Sequence, residues 1–433
     1  MRTALVLGGG FAGVLAARAL ARHATVVLVE AGRYPAGPLP RPGLPQAHHN
    51  HVLVTGGARA LDEVVPGTID ELLAAGAHRR DLTGDALILS REGWFGRLAT
   101  DNFVISVSRW LLDGVVRRRA LSAPGITVRE QTRVLGLTGD ATRVTGAVVA
   151  GPDGQPVPLV ADLVVDATGR RSRAPRWLAA LGGAPVEEQT AGCGLAYSTR
   201  LYQAPPGLTR EMPAIMLHPR PRPDGSEGHG ATLFPIEDGR WIVTLTGTRG
   251  NEPPVTGAGF AACLAELGSP ILADLLAAAC PIDGVRPYRI AADRRRFYER
   301  RAPTEGLLVL GDALTATNPV HSHGMSVAAL SVLRLARELP AHSRAEELQA
   351  AVAAEAEPAW RMATGGGAGG RASRMLPVRA LLGNPALINA FFRIQTLNSA
   401  APAPLPAAGP PPAGTREAVA QFPHLSRWLR TRT

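Results

Sequence analysis

The chain has 433 residues, of which 45% are hydrophobic and 19% charged, and this balance excludes a disordered tail, a coiled coil and a collagen-like fibre. Arg and Lys outnumber Asp and Glu by 46 to 36, and every one of the 46 basic residues is an arginine. Without lysine there is no Schiff-base lysine, no lysine general base and no P-loop lysine, so the enzyme classes that depend on these groups are excluded.

The rest of the composition argues against nucleic-acid and membrane partners. The densest arginine clusters, 117–119 and 294–296, are short and contain no interleaved aromatic residues, so we expect no nucleic-acid partner. No uninterrupted apolar stretch is long enough to span a bilayer. The three cysteines form no C-x-x-C pair, which is typical of a reduced, cytoplasmic protein.

The first thirty residues predict a strand, a turn, a helix and a second strand. Thr3 to Leu7 and Thr25 to Val29 are continuous apolar runs of the kind that form buried parallel strands. Residues 11–22 carry alanine and leucine at helical spacing. This order of elements is that of a dinucleotide-binding unit.

The turn between the first strand and the helix reads Gly8-Gly9-Gly10-Phe11-Ala12-Gly13 and fits the pattern G-x-G-x-x-G. In that pattern the glycines permit a tight turn, close approach of a pyrophosphate to the backbone, and packing of helix against strand. Glu30 ends the second strand, where a carboxylate accepts hydrogen bonds from a ribose diol. We therefore predict a dinucleotide site that contains Gly8, Gly10, Gly13 and Glu30.

Two further motifs follow in chain order. Helical pattern covers about 106–121, and Arg109 stands early in it, where a guanidinium can reach the ribose or phosphates of a cofactor. Residues 126–165 contain short strands broken by Gly-Asp turns, which predicts a β-meander. The last of these strands leads into the turn Asp166-Ala-Thr-Gly169, which we expect to lie near the cofactor.

The second half of the chain changes character and then returns to the first pattern. Residues from about 185 to 300 contain strand-like pieces that predict a mostly antiparallel domain. Gly306 to Leu310 is again an apolar strand, followed by Gly311-Asp312, where an aspartate can accept from a ribityl hydroxyl. The next helix, from about 324 to 338, has an N-terminus that can stabilise negative charge on a reduced flavin.

In this order, the motifs resemble those of the FAD-dependent monooxygenases of the aromatic hydroxylase fold, over nearly the whole chain to about residue 340. More narrowly, the run Arg41-Pro-Gly-Leu-Pro-Gln46, His49, His51 and Asn318-Pro319-Val320 are similar to those of a bacterial branch of that family. That branch includes epoxidases that act on polyene precursors of polyether natural products, and relatives of squalene epoxidase.

The resemblance implies tightly bound FAD, with NAD(P)H or a partner flavin reductase as the electron donor. It also implies epoxidation or hydroxylation of a hydrophobic, polyketide- or terpenoid-like natural-product intermediate through a flavin C4a-hydroperoxide. The residues expected at the cofactor, from the motifs and the resemblance together, are Gly8, Gly10, Gly13, Glu30, Arg109, Asp166, Gly311, Asp312, Pro319, Gly324 and Met325.

The implied fold class is α/β: a Rossmann-like FAD-binding domain of the glutathione-reductase type, interrupted by a mostly antiparallel substrate domain and followed by a helical C-terminal region. The first part of the FAD-binding domain is expected at 1–184, with the β-meander at 126–165. We expect the substrate domain at 185–300 and the resumed FAD-binding domain at 301–340. Residues 341–433 form the C-terminal region and include a Pro/Ala-rich linker at 399–414.

One departure from the branch pattern lies close to the expected flavin. Where the branch usually has Tyr-Gly-Gln-Gly-Met, this chain has His321-Ser322-His323-Gly324-Met325. Ser322 adds a side chain where backbone normally approaches the flavin ring. His321 and His323 are candidate catalytic residues because histidine exchanges protons near neutral pH, or they fill space at the helix start.

Two alternative functions fit the same motifs, and two others are excluded because the chain lacks the residues that they need. A non-redox cyclase with FAD as a structural cofactor, or a flavin-dependent alkene reductase, fits the same fold. Flavin halogenases need an active-site lysine, which this chain lacks, and no G-x-S-x-G elbow supports a hydrolase. The cluster His48-His49-Asn50-His51 lacks complementary carboxylate or cysteine spacing, so we expect no metal there.

Overall fold

The structure is a computed structural model that describes residues 2–42, 44–209, 211–222, 224–302, 304–339, 344–365, 378–402, 404–406 and 409–431. Its strands are β1 Thr3–Leu7, β2 Thr25–Val29, β3 Val52–Val54, β4 His78–Asp81, β5 Ala86–Leu89, β6 Phe103–Ser106, β7 Ile126–Arg129, β8 Val134–Gly139, β9 Val144–Ala150, β10 Pro156–Val160, β11 Leu163–Asp166, β12 Glu188–Gln203, β13 Ala214–Leu217, β14 Gly230–Ile236, β15 Arg240–Thr248, β16 Cys280–Pro281, β17 Arg286–Arg296, β18 Leu307–Val309 and β19 Thr315–Ala316. Its helices are α1 Phe11–Leu20, α2 Thr55–Val64, α3 Thr68–Ala74, α4 Arg109–Leu121, α5 Ala174–Ala180, α6 Gly257–Ala265, α7 Ile271–Leu276, α8 His323–Glu338, α9 Ala345–Thr364, α10 Val378–Leu381, α11 Pro385–Gln395, α12 Thr415–Ala420 and α13 Pro423–Arg430.

A parallel sheet in the order β18-β11-β1-β2-β7 forms the centre of the first part of the molecule. β1, β11 and β18 are buried almost throughout, as their runs of Val and Leu predict. The predicted strands Thr3–Leu7 and Thr25–Val29 are confirmed, and the predicted helix begins at Phe11 but ends at Leu20. Because the strands are parallel, the turns after β1, β11 and β18 meet at one edge.

The meander predicted over 126–165 is divided between two sheets. β8, β9 and β10 form an antiparallel meander, whereas β7 and β11 are strands of the parallel sheet. The prediction was wrong at both ends because short strands separated by turn signals look alike whether they pair with each other or return to another sheet. Burial distinguishes them in the structure, since β11 is buried and β10 leaves most of its residues exposed.

The second large sheet, in the order β19-β17-β12-β15-β14-β13-β5 with β16 beside β12, is mostly antiparallel. Residues 185–300 supply β12 to β17, while β5 and β19 come from outside that range. The back face carries Trp241, Val243 and Leu245, which pack against α6, α7, α12 and α13. The front face carries Tyr197, Thr199 and Thr244 and is turned towards the dinucleotide-binding part.

The C-terminal region is helical and packs on both parts of the molecule. α9 packs against α8, and the segment formed by α12, α13 and the residues between them buries Ala418, Phe422 and Leu425 in the back-face core. Within 399–414, the described residues form neither helix nor strand. No described helix is both long enough and apolar enough to cross a membrane. The predicted α/β fold class, with a parallel core, an antiparallel sheet and C-terminal helices, is thereby confirmed.

Candidate cofactor and substrate site

The glycines of the turn after β1 have two different roles, close packing and access for a ligand. A Cβ on Gly8, which has φ +95°, would lie 2.6 Å from the carbonyl oxygen of Ala167, and a Cβ on Gly13 would lie 1.8 Å from that of Gly8. These two glycines therefore allow α1 and the neighbouring turn to pack closely. A Cβ on Gly10 would meet no described atom within 4 Å, so this position is open to a ligand.

The start of α1 supplies hydrogen-bond donors without an acceptor of its own. Gly10 is the N-cap residue, no side chain caps the helix, and the first turn contains no acidic residue. The first N–H groups of a helix have no partner within the helix, and the helix dipole favours negative charge there. A diphosphate fits this end of α1 on both counts.

Glu30 is buried beside the glycine turn with both carboxylate oxygens engaged. Oε2 accepts from the backbone N–H of Gly9 at 2.8 Å, and Oε1 accepts from that of Gly32 at 2.7 Å. Arg41 forms an ion pair with Oε1 at 2.5 Å. Since each carboxylate oxygen accepts about two hydrogen bonds, Oε2 retains capacity for a ribose hydroxyl.

Sequence reasoning missed three side chains next to this turn. The Tyr34 hydroxyl and the Arg41 guanidinium both donate to the carbonyl oxygen of Gly9, at 2.9 and 2.8 Å. The guanidinium groups of Arg41 and Arg117 lie over the Tyr34 ring, at 4.9 and 4.7 Å from its centroid. The run that begins at Arg41 carried part of the family resemblance, whereas Tyr34 and Arg117 belong to no motif.

Arg109 stands at the start of α4, where one carboxylate holds its guanidinium and another holds the preceding residue. Ser108 caps the helix by accepting from the N–H of Leu111, and its own N–H donates to Glu237 at 3.0 Å. The Arg109 guanidinium donates to Asp113 at 2.8 Å. It also attracts the Asp312 carboxylate, so the structure brings together two residues that the sequence separates by about 200 positions.

Asp166 lies inside its turn and shows no exposure. Its Oδ1 accepts from the N–H and hydroxyl of Thr168, at 2.9 and 2.6 Å, and its Oδ2 accepts from the Ser172 hydroxyl at 2.5 Å. Burial raises the pKa of the Asp166 carboxyl, and the hydrogen bonds from Ser172 and Thr168 oppose that rise. The carboxylate therefore shapes the turn from within, and its expected role at the cofactor is indirect.

The turn after β18 places Gly311 and Asp312 against α1 and α8. Gly311 has φ +59°, and a Cβ there would lie 2.9 Å from that of Ala12. Burial raises the pKa of Asp312, against the attraction of Arg170, Arg109 and Arg294. A Cβ on Gly324 would lie 3.7 Å from Asp312 Oδ1, so the start of α8 faces this carboxylate closely.

The residues from Asn318 to Gly324, which we call the 318–324 run, lead from β19 into the first two residues of α8. Asn318 Oδ1 accepts from the N–H of Val320 at 2.9 Å and from the Tyr197 hydroxyl at 2.7 Å. Pro319 opens a single 3₁₀ turn, and Ser322 follows it with φ +55° and no side-chain bond to the helix start. The run is thus fixed at its start by the front face of the antiparallel sheet.

Met325, which follows the 318–324 run, is partly buried. Its side chain packs against the core of the dinucleotide-binding part.

His321 and His323 stack with ring centroids 5.5 Å apart. His323 Nε2 donates to the carbonyl oxygen of Gln395 at 2.8 Å, so in the neutral ring Nδ1 is an acceptor. That Nδ1 is buried and has no hydrogen-bond partner among the described residues. Burial lowers the pKa of His323 to about 4 and also lowers that of His321, so both rings are neutral at pH 7.

His49 joins the front face of the antiparallel sheet, a contact that sequence reasoning did not anticipate. Its Nδ1 is 2.8 Å from the Thr199 hydroxyl, which is 2.8 Å from that of Thr244. Its ring lies 5.2 Å from that of Tyr288 and 6.4 Å from that of Tyr197. No group of metal-ligating side chains forms within the described part of the chain, around these histidines or elsewhere.

A family model described as FAD binding domain matches residues 1–364 of this chain. The chain belongs to this FAD-binding family. Protein Rv3254 of Mycobacterium tuberculosis is 31% identical over 384 residues, which cover 83% of this chain and 78% of that protein.

Solved structures share the fold of this FAD-binding protein at low sequence identity. The flavin-dependent brominase Bmp2 has a TM-score of 0.67 and 17% identity, with 91% of this chain and 93% of that chain covered. The p-nitrophenol 4-monooxygenase PnpA from Pseudomonas putida DLL-E4 has a TM-score of 0.58 and 20% identity, with 90% and 94% covered. At these identities the likeness establishes the fold alone.

Replacing Glu30 tests its predicted role at the FAD ribose. Glu30→Ala is expected to weaken FAD retention about 10- to 100-fold, because a charge-assisted hydrogen bond contributes roughly 1.5–3 kcal/mol. FAD content after gel filtration and the Kd for FAD of the stripped protein measure the effect. Glu92→Ala, at an exposed glutamate, is the matched control. An unchanged Kd in the Glu30 variant would contradict the ribose role.

Replacing Ser322 tests whether its side chain destabilises the 318–324 run and crowds the flavin. A non-glycine residue at φ +55° costs about 1 kcal/mol, so Ser322→Gly is expected to raise the free energy of unfolding by roughly 0.5–1 kcal/mol. Gln131→Gly, at an exposed residue with φ +52°, is the matched control. Both variants should be stabilised in denaturant titrations, but only Ser322→Gly should change the rate at which the reduced flavin reacts with oxygen. Equal reoxidation rates in all three proteins would show that Ser322 does not crowd the flavin.

Proposed function

We propose that this FAD-binding protein is a monooxygenase that epoxidises or hydroxylates a hydrophobic, polyketide- or terpenoid-like substrate. The observation that carries the proposal is the contact between the 318–324 run and the front face of the antiparallel sheet, made through Asn318 and Tyr197. The 318–324 run, where this proposal expects the flavin ring, thus lies beside a face that combines buried aliphatic and aromatic side chains with a few hydroxyl groups. An apolar surrounding of this kind suits an enzyme in which the cofactor supplies the reactive oxygen.

In this proposal the chain's own residues bind and orient FAD. The start of α1 at Gly10 holds the diphosphate, Glu30 holds the ribose and Asp312 accepts from the ribityl chain. Pro319 and Gly324 frame the pyrimidine end of the flavin ring, where the start of α8 favours negative charge. When bound and reduced, FAD supplies the electrons that activate oxygen. NAD(P)H or a flavin reductase is the proposed electron donor.

The core beneath the front face is apolar, and this proposal places a hydrophobic substrate beside it. Leu201, Phe234 and Ile242 are buried in one cluster with side chains of α11. His49, Thr199 and Thr244 add a short row of hydrogen-bonding groups beside it. With a pKa lowered to about 4 by burial, His49 is neutral at pH 7 and orients a polar substituent without carrying charge.

The deciding experiment follows the bound flavin through one turnover. The FAD-loaded protein is reduced without oxygen by NADH or NADPH, then mixed with oxygen while absorbance and oxygen uptake are recorded. A transient absorbance that matches neither reduced nor oxidised flavin is expected for a monooxygenase. Reoxidation in one step, together with product formation by the oxidised enzyme without oxygen, would contradict the proposal.

A second candidate is a non-redox cyclase that keeps FAD as a structural cofactor. The observation that favours it is the pair of neutral, stacked imidazoles at His321 and His323, beside Ser322, where the related branch has glycine. Side chains there leave less room for oxygen than the glycine of the related branch does. This candidate requires turnover with oxidised flavin and neither oxygen nor NAD(P)H. A requirement for either would eliminate it. Halogenation is not proposed, because the chain has no lysine.

A further inference from the structure

Tyr34 and two arginines meet beside the glycine turn, and the proposed function gives this contact no role. The guanidinium carbons of Arg41 and Arg117 lie 4.9 and 4.7 Å from the centroid of the Tyr34 ring. A guanidinium at this distance is attracted by the negative face of an aromatic ring. Tyr34 and Arg41 follow β2, whereas Arg117 lies on α4, so the ring joins two separate parts of the chain.

The Tyr34 side chain packs tightly against the turn. Its hydroxyl donates to the carbonyl oxygen of Gly9 at 2.9 Å. A Cβ on Gly9 would lie 2.0 Å from the same hydroxyl oxygen, so Tyr34 occupies the space that a larger residue at position 9 would need. The pattern G-x-G-x-x-G leaves this position free, and the contact with Tyr34 explains why it is a glycine here. The ring is therefore held in place beside the start of α1.

The positive and negative charges around the start of α1 do not balance. A small cavity there has Arg41, Asp113 and Arg117 as the charged residues of its lining. Glu30 holds Arg41 in an ion pair at 2.5 Å, and Arg109 holds Asp113 in one at 2.8 Å. Arg117 forms no ion pair with any residue that the structure describes. One positive charge in the lining is thus left without a counter-charge of its own.

The position of Arg117 is unfavourable unless an anion lies beside it. The start of α1 carries partial positive charge, because its first N–H groups have no partner within the helix. A second positive charge in the same cavity is repelled by this helix end. Arg117 is half-buried, and the carboxylates of Asp113 and Glu130 attract it from beyond ion-pair distance. An anion between the guanidinium and the helix end would compensate both charges.

The guanidinium of Arg117 also keeps hydrogen-bond donors for such an anion. One of its nitrogens donates to the carbonyl oxygen of Pro35 at 3.0 Å. Arginine has five N–H donors in a planar fork, a shape that matches the oxygens of a phosphate group. Arg117 therefore combines the charge and the donors that a diphosphate requires.

We propose that Arg117 binds the diphosphate of FAD at the start of α1, and that Tyr34 is the residue that positions its guanidinium. The diphosphate supplies the negative charge that the helix end and Arg117 both lack. Tyr34 acts through Arg117, since its ring attracts the guanidinium while its hydroxyl holds the ring on Gly9. The proposal rests on the proposed place of the diphosphate at Gly10, and it holds for any reaction of the bound flavin.

The test measures the Kd for FAD of the full chain after the cofactor has been removed. Arg117→Gln is expected to raise this Kd about 10-fold, because a charge-assisted contact with phosphate is lost. Arg118→Gln removes the same charge from the next residue of α4, whose exposed side chain pairs with Glu71, and should leave the Kd unchanged. An Arg117→Gln protein that binds FAD as tightly as the unmodified protein would overturn the proposal. These titrations use oxidised FAD and no substrate, so this proposal fails separately from the proposed reaction.

Salt dependence separates a contact with the diphosphate from one with the uncharged adenine ring. The titrations are repeated at about 0.05 and about 0.5 M NaCl, because salt screens the attraction between charged groups. The Kd should rise with salt more steeply in the unmodified protein and in Arg118→Gln than in Arg117→Gln. The same rise in all three proteins would rule out the diphosphate as the partner of Arg117, even if Arg117→Gln binds FAD more weakly.

Variants of Tyr34 test whether it acts through Arg117. Tyr34→Phe keeps the ring, and Arg41 still donates to the carbonyl oxygen of Gly9 at 2.8 Å, so FAD affinity should stay close to that of the unmodified protein. Tyr34→Leu removes the ring and should weaken binding about as much as Arg117→Gln does. The double variant should bind no more weakly than Arg117→Gln alone, because both changes remove the same contact. Losses that add in the double variant would show that Tyr34 does not position Arg117.

Discussion

Two Gly→Ala substitutions in the same glycine turn are expected to have different effects: one should prevent folding, and the other should weaken FAD binding. Gly13→Ala should yield little folded protein, because its Cβ would lie 1.8 Å from the carbonyl oxygen of Gly8, a backbone atom of the turn between β1 and α1. Overpacking of this kind costs about 3 kcal/mol or more. Gly10→Ala should fold normally, because Gly10 has φ −76° and its Cβ would meet no described atom within 4 Å.

What Gly10→Ala should lose is the cofactor. The added methyl group would occupy the space through which a diphosphate approaches the N–H groups at the start of α1, and we expect FAD affinity to fall about 10- to 100-fold. Thermal unfolding of the stripped proteins measures the first effect, and FAD titration measures the second. Gly414→Ala, at a glycine with equally open surroundings in the C-terminal region, is the control for the substitution itself. A Gly10→Ala protein that retains FAD fully would place the diphosphate elsewhere.

The sequence predicted the parts of the fold that depend on local pattern. The first strand, helix and second strand were located almost to the residue, because continuous apolar strands and a glycine turn leave few alternatives. The segment 126–165 was harder, because the partner of each strand depends on contacts far along the chain. β11 pairs with β1 and β18, and neither contact leaves a mark in the local sequence of β11.

The same distinction applies to the site. Glu30 and the glycine turn lie together in the structure, as the spacing predicts. The sequence could not show that Asp166 turns its carboxylate inwards to Ser172, because an aspartate at that turn is compatible with either orientation. His49 was noticed as part of a histidine cluster, but its partner Thr199 is 150 positions away.

The candidate cofactor site is formed where three turns meet. Parallel strands bring the turns after β1, β11 and β18 to one edge, and a Cβ on Gly8 would lie 2.6 Å from the carbonyl oxygen of Ala167 in the next turn. Each turn therefore depends on the shape of its neighbour. The turn that contains Asp166 is the middle one, so a defect there should affect both stability and cofactor binding.

Asp166→Ala is accordingly expected to be one of the most damaging substitutions at this edge. It removes the acceptor for the hydroxyls of Thr168 and Ser172 and for the N–H of Thr168, all in or next to a turn in which Asp166 is fully buried. Leaving two of these donors unsatisfied costs roughly 1–3 kcal/mol each, so we expect a loss of about 3 kcal/mol in the free energy of unfolding. FAD retention should fall in the same variant, because the turn contacts Gly8.

Asp166→Asn removes the negative charge of the Asp166 side chain but keeps its size and its ability to form hydrogen bonds. The amide oxygen can still accept from Thr168 while the amide N–H donates to the Ser172 hydroxyl, so this variant should lose less than half as much stability as Asp166→Ala. Asp162→Ala controls for removal of an aspartate just before β11, since Asp162 is exposed and its carboxylate accepts only from the N–H of Thr3 among the residues that the structure describes. Denaturant titration and FAD content measure all three proteins. If Asp166→Ala were as stable as Asp162→Ala but lost FAD, the carboxylate would contact the cofactor directly, and the inward hydrogen bonds would not be its main role.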